Sequence, residues 1–192
     1  MKRVVMIGDS IRVGYQAAVA EALAGVAEAS GPPDNGGDSA NVLEHLTQWA
    51  ISDPPDVVHV NAGLHDIKRA FDSMQRRVPL DQYRRNVEAI LARLINGTSA
   101  KVVWANTTPV NQKWHHEVKG FDRFEVDVRD YNRAAVEVAF RLGVPIDDLY
   151  GAVMAAGRDG LLTADGVHFT EEGYRFHGKA VADRILTLFP SL

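Results

Sequence analysis

The chain has 192 residues, enough for one domain with one core, and its 46% hydrophobic and 24% charged residues are an ordinary globular mix. A formal net charge of −4 and no Lys/Arg stripe argue against nucleic-acid binding. The absence of cysteine excludes disulfides, thiolate nucleophiles and cysteine-ligated metal together.

Met1-Lys2-Arg3 precedes the apolar run Val4–Ile7, but that run stops at Gly8-Asp9-Ser10, too short for a signal-peptide core, and reads as a first strand. A helix follows, with Tyr15, Ala18, Val19, Ala22 and Leu23 on one face. Val26–Ser30 is a weaker strand, and 30–37 is irregular and rich in Gly and Pro. Asp38 or Ser39 caps a second helix carrying Val42, Leu43, Leu46 and Trp49. Val57–Val60 is the next strand. Tyr83, Val87, Ile90, Leu91 and Leu94 form a third helical stripe, ended by Asn96-Gly97.

Val102–Ala105 is a further strand. The stretch 107–127 reads as a long irregular segment holding Trp114, His115, His116 and Phe121, and segments of that length are more often functional than idle. Tyr131, Ala134, Ala135, Val138 and Leu142 make a fourth helix, ended by Gly143, and Val144–Asp147 is a weak last strand. The final helix starts at the cap Thr170, with Glu171 and Glu172 in its first turn. The strands are nearly continuous apolar runs, which suits a parallel sheet buried on both faces. Strand and helix alternate throughout, so residues 1–192 are expected to form a single doubly wound α/β domain. No stretch approaches the roughly 18 apolar residues of a membrane helix. We therefore expect no membrane insertion, and a cytoplasmic location.

Two blocks carry chemistry. Gly8-Asp9-Ser10-Ile11 lies directly between a strand and a helix, where parallel sheets bind ligands and where the Ser10 N–H faces outward at a helix start. Asp165-Gly166-Val167-His168 lies just before the last helix. A serine hydroxyl needs a base to take its proton, and a carboxylate fixes the tautomer of that base. Each block alone also reads as a capped turn; their combination points to a serine nucleophile.

With these blocks in order, the chain resembles the SGNH (GDSL-like) hydrolases. That family carries G-D-S near the N-terminus, a glycine after the second strand, G-x-N-D after the third, and D-x-x-H near the C-terminus. The second block is Gly36-Gly37-Asp38-Ser39, and the third is Gly63-Leu64-His65-Asp66, with histidine in place of the family's asparagine. The resemblance implies a three-layer α/β/α flavodoxin-like sandwich with a five-stranded parallel sheet of order 2-1-3-4-5. It implies Ser10 as nucleophile, His168 as base and Asp165 as its orienting group. The oxyanion would be held by the N–H groups of Ser10 and Gly37, with His65 as third donor, since imidazole also offers an N–H.

Asp66 is read as holding the loop or His65, and Asp66, Pro109 and Val167 as bordering the substrate. No cofactor or metal is expected. The expected substrate is a small-molecule or carbohydrate ester with a short acyl group, acetyl above all. Thioesterase, lysophospholipase and non-enzymatic binding members of the same fold are the alternatives. Of the other histidines, His59 is expected in the core, His45 and His177 at the surface, and His115 and His116 at the substrate entrance. Lys68-Arg69 is expected to be a solvated pair.

Overall fold

A computed structural model describes residues 1–192. Five strands, β1 (Lys2–Ile7), β2 (Ala27–Ser30), β3 (Val57–Val60), β4 (Lys101–Ala105) and β5 (Ile146–Asp147), form one sheet of order 2-1-3-4-5. Every neighbouring pair is parallel. Eight helices complete the chain: α1 (Ser10–Ala22), α2 (Ser39–Leu46), α3 (Leu80–Gly97), α4 (Gln112–Val118), α5 (Glu125–Arg141), α6 (Leu149–Ala155), α7 (Arg158–Leu161) and α8 (Glu171–Leu188). A single π turn, Thr47–Ile51, extends α2. The helices α1 and α8 pack together as one group, and α2, α3 and α5 as another, which gives the three-layer sandwich. None of the helices is long and apolar enough to cross a membrane.

The expected strands and long helices are present. The stretch 107–127 is less irregular than its sequence implies: it contains α4, and α5 begins at Glu125. The short helices α4, α6 and α7 have no full apolar stripe to announce them. Side-chain caps set α4 and α6, with Asn111 Oδ1 accepting from Trp114 N at 3.2 Å and Asp148 from Gly151 N at 3.1 Å, while α7 starts from Gly157 at φ +86°.

All four side chains of β3 are buried, as a doubly covered parallel strand requires. His59 lies among them as expected, its Nε2 paired to Asp147 Oδ2 on β5 at 2.9 Å. Trp104 on β4 is fully enclosed. Each fully buried aliphatic side chain here contributes about 1.5–3 kcal/mol. At the carboxyl edge, polar ties hold the loops in place. Asn61 Nδ2 donates to Ala105 O at 2.8 Å, and Tyr83 Oη and Thr107 Oγ1 both donate to Ala62 O at 2.9 Å. Asn132 clamps Thr107 from both sides, accepting from its N–H at 2.7 Å and donating to its carbonyl at 2.8 Å.

The α1–α8 contact brings the two ends of the chain together. Gly178 of α8 sits so close to α1 that an added Cβ would lie 2.3 Å from the Ala18 Cβ and 2.8 Å from its carbonyl carbon. Beside it, His177 is fully buried and stacks on Tyr15 at 5.9 Å, its Nδ1 donating to the Gly173 carbonyl at 2.8 Å. This corrects its expected surface position: the histidine falls on the face that α8 turns to α1. Gly178→Ala should therefore destabilise the protein by roughly 1–3 kcal/mol, the usual cost of overpacking, despite the better helix propensity of alanine. A thermal melt reads the change; an unchanged or raised Tm would show that α8 can shift without cost.

Candidate active site

Ser10 is the first residue of α1, and Asp9 before it caps the helix by accepting from Ile11 N at 2.9 Å. Asp9 is buried and its Oδ2 has no partner. Burial raises its pKa, against the pull of the Ile11 N–H, Arg123, His168 and Arg12. The side chain of Ser10 meets the block Asp165-Gly166-Val167-His168 near the far end of the chain. Ser10 Oγ lies 2.9 Å from His168 Nε2, and His168 Nδ1 lies 2.6 Å from Asp165 Oδ2.

The turn 163–168 is shaped around Asp165. Its Oδ1 accepts from Thr163 Oγ1 at 2.9 Å, Val167 N at 3.1 Å and His168 N at 2.9 Å. Lys119 Nζ makes an ion pair with Oδ2 at 2.9 Å. Burial opposes the charge of Asp165, but the bonds from the His168 ring and backbone, Lys119 and Val167 together hold its pKa far below the carboxylate range. Gly166 takes φ +70° in this turn, and a Cβ there would stand 2.4 Å from the Asn111 carbonyl oxygen. The turn thus lies flush against the start of α4.

The three expected oxyanion donors differ in availability. The N–H of Ser10, in the first turn of α1, has no intrahelical acceptor. His65 is half-buried, and burial, then Lys68, Arg123 and Arg77, push its pKa down to about 4 against the pull of Asp38. Its ring is therefore neutral near pH 7, with one N–H to give. Gly37 departs from expectation: its N–H is already donated to Asn35 Oδ1 at 2.8 Å. The exposed Asn35 carboxamide must swing away before that N–H can serve any ligand.

Three residues are expected to border the substrate. Asp66, Pro109 and Val167 are all buried. Asp66 accepts from Ser39 N at 3.0 and 3.1 Å and from Ser39 Oγ at 2.5 Å, so it ties the third block to the second, which is the loop-holding half of its expected role. Burial pushes its pKa up to about 7 against those bonds.

Two further expectations change, those for His115 and Arg69. His115 is fully buried rather than at an entrance, because its Nε2 faces Arg123 Nη1 at 3.0 Å. His116 is exposed and pairs with Asp122 at 2.8 Å. Arg69 is buried against Asp127, Nε to Oδ2 at 3.0 Å, and is not part of a solvated pair. His45 is half-buried and stacks on Trp49 at 5.0 Å.

Two site residues carried no signal in the sequence. Arg123 is buried, and its Nε donates to the Leu64 carbonyl at 2.6 Å, fixing the third block from behind. Burial lowers its pKa to about 10, against the pull of Asp9 and Asp165. Lys119, which pairs with Asp165, is the other. Each is a lone basic residue in the stretch 107–127, and only the folding of that stretch over the sheet edge brings it to Ser10.

A family model described as the GDSL-like lipase/acylhydrolase family matches residues 6–176, and the chain belongs to that family. Among solved structures it is similar to a lipase/acylhydrolase from Enterococcus faecalis, with 24% identity, a TM-score of 0.79, and coverage of 98% of this chain and 97% of that one. It is also similar to an acetylxylan esterase from Geobacillus stearothermophilus, with 17% identity, a TM-score of 0.77, and coverage of 96% and 94%. A GDSL-like lipase from Bacteroides thetaiotaomicron gives 22% identity, a TM-score of 0.76, and coverage of 97% and 89%. At these identities the likeness establishes the fold. No curated protein sequence matches the chain.

Proposed function

We propose that this acylhydrolase-family protein cleaves carboxylic esters through an acyl-enzyme on Ser10. The observation that carries the reading is the continuous line from Ser10 Oγ to His168 Nε2, 2.9 Å, and from His168 Nδ1 to Asp165 Oδ2, 2.6 Å. His168 Nε2 takes the Ser10 proton as Oγ attacks the ester carbonyl. The ionised Asp165 keeps Nδ1 protonated and stabilises the imidazolium that forms. Negative charge on the carbonyl oxygen is met by the Ser10 N–H and the His65 ring N–H, and by the Gly37 N–H once Asn35 has left it. The C–O bond then breaks, and the alcohol departs with the proton from His168. Water repeats the sequence on the acyl group, giving the carboxylic acid and restoring Ser10.

The acyl group in this proposal is short, acetyl above all, and the alcohol is polar and sugar-like. A cavity of about 370 Å³ with a mainly apolar lining, including Ile95, Val102 and Phe189, lies at the opposite, amino edge of β4, so it offers no shelter to a fatty chain held at Ser10. Long chains need such shelter, at about 0.8 kcal/mol per methylene. The similarity to an acetylxylan esterase supports the same reading. Acetyl, butyryl and octanoyl esters of one leaving group test it: kcat/KM should fall along the series, and a rise would contradict the short-acyl part.

Ser10→Ala should lower kcat on these esters by a factor on the order of 10⁶, the loss measured for a serine nucleophile elsewhere, with the melting profile retained. Full turnover in a folded variant would remove Ser10 from the reaction. His65→Ala should lower kcat by about 10²–10³, and His65→Asn should restore much of it, because either an imidazole or a carboxamide can supply the N–H. Since His65 protonates only near pH 4, the pH profiles of wild type and His65→Asn should overlay throughout the neutral range. Equal losses in the two variants would show that His65 is not a donor.

A further inference from the structure

Positive charge collects beside the second and third blocks, which Arg77 and Arg123 touch at Asp38 and at the Leu64 carbonyl. A groove of about 590 Å³, a size that suits a small ligand, is lined by Lys68, Arg69, Arg76, Arg77 and Phe121 among others, with no carboxylate on its wall. The chain as a whole is at −4, so this is a local reversal of sign. Arg69 and Arg76 share one buried carboxylate, Asp127, at 2.5 and 2.6 Å. Arg77 gives only its Nε to Asp38 Oδ2, at 2.6 Å, and its side chain is 61% exposed. Four cations against Asp127 and Asp38 leave a surplus of two positive charges.

Lys68 is paired with no carboxylate; its Nζ rests 4.8 Å from the centre of the Phe121 ring. Arg123 lies 5.0 Å from the same ring and connects the groove to the third block. Burial, then Arg123 and Arg77, hold Lys68 below its ordinary pKa, and the same three cations press on His65. Like charges crowded around a half-buried ring are relieved by an anion that accepts from several of them at once. The junction is built from contacts: Arg77 N donates to the Lys68 carbonyl at 2.8 Å, Arg77 Nε reaches Asp38 next to Gly37 at 2.6 Å, and Arg123 Nε holds the Leu64 carbonyl next to His65 at 2.6 Å.

We infer that this groove is an anion subsite of the active site, and that the esters cleaved at Ser10 carry a carboxylate or phosphate on the alcohol side, held by Lys68 and Arg77. This rests on the reading of Ser10 as an ester-cleaving nucleophile, and on a short acyl group that leaves the alcohol side as the part long enough to fill the groove. The test follows acetate release from O-acetylglucose, O-acetylglucuronate and O-acetylglucose 6-phosphate, with 4-nitrophenyl acetate as a neutral reference. Wild type is compared with the double variant Lys68→Gln, Arg77→Gln. At low salt, kcat/KM for at least one anionic sugar ester should exceed that for O-acetylglucose by about tenfold or more, the scale of one charge-assisted contact. The advantage should shrink as salt rises and should largely vanish in the double variant. The better of the two anionic esters distinguishes carboxylate from phosphate. In parallel, inorganic phosphate should shift the His65 ring signal in NMR of wild type and not of the double variant. Good turnover of 4-nitrophenyl acetate with equal rates on all three sugar esters would overturn the subsite and leave the esterase reading standing. No turnover of any ester would overturn the esterase reading, and an unmoved His65 signal would then overturn the subsite as well.

Discussion

The site depends on one contact: α1 against α8. Ser10 opens α1, and His168 stands two residues before the cap of α8, so the 2.9 Å between Ser10 Oγ and His168 Nε2 is set by how closely the two helices approach. The approach is close because Gly178 presents no side chain to the backbone of α1, and because His177 fills the remaining space flat against Tyr15. Interiors are packed to crystal-like density, so a methyl group added there must displace something. Parallel topology does the rest, since it sends every strand's carboxyl end, and thus every loop of the site, to one edge.

Electrostatics suit His65 to the role of a neutral N–H donor. Beside a carboxylate, His65 would gain a proton and change charge as the pH fell toward neutrality. Here burial comes first, and Lys68, Arg123 and Arg77 outweigh the opposing pull of Asp38, so the His65 pKa falls to about 4. It therefore presents a neutral N–H over the working range, as an asparagine would. Asp66, the next residue, is turned away from it and spent on Ser39. The tie from Asp66 to Ser39, and on to Asn86 at 2.9 Å, binds the second and third blocks into one unit. The same cations that keep His65 neutral make the adjoining groove positive, so the local tuning of one side chain and the proposed choice of substrate have a common source.

Much of this was legible in the sequence. Val4–Ile7, Val57–Val60 and Val102–Ala105 are apolar enough to be recognised as doubly buried strands, and the paired blocks around Ser10 and His168 indicated which loops meet. What the sequence hid was side-chain direction within short, irregular segments. Asp66 and Val167 lie in the right blocks, but their side chains turn inward, and nothing in a tetrapeptide's composition distinguishes inward from outward. The buried His177 follows from the rotation of α8 about its axis, which its weak apolar stripe left open. Arg123 and Lys119 become site residues only through tertiary folding of 107–127. The engagement of the Gly37 N–H by Asn35 is likewise a matter of local turn geometry.

The central claim is that the fold activates Ser10, through His168 and Asp165, as a nucleophile. It is tested most directly by treating the pure protein with a fluorophosphonate and mapping the adduct by peptide mass spectrometry. The account predicts stoichiometric modification of Ser10 alone, fast in wild type and strongly slowed in Asp165→Asn, where the imidazole is held in the wrong tautomer. Modification at another serine, or labelling of Ser10 at the same rate in Asp165→Asn, would contradict it.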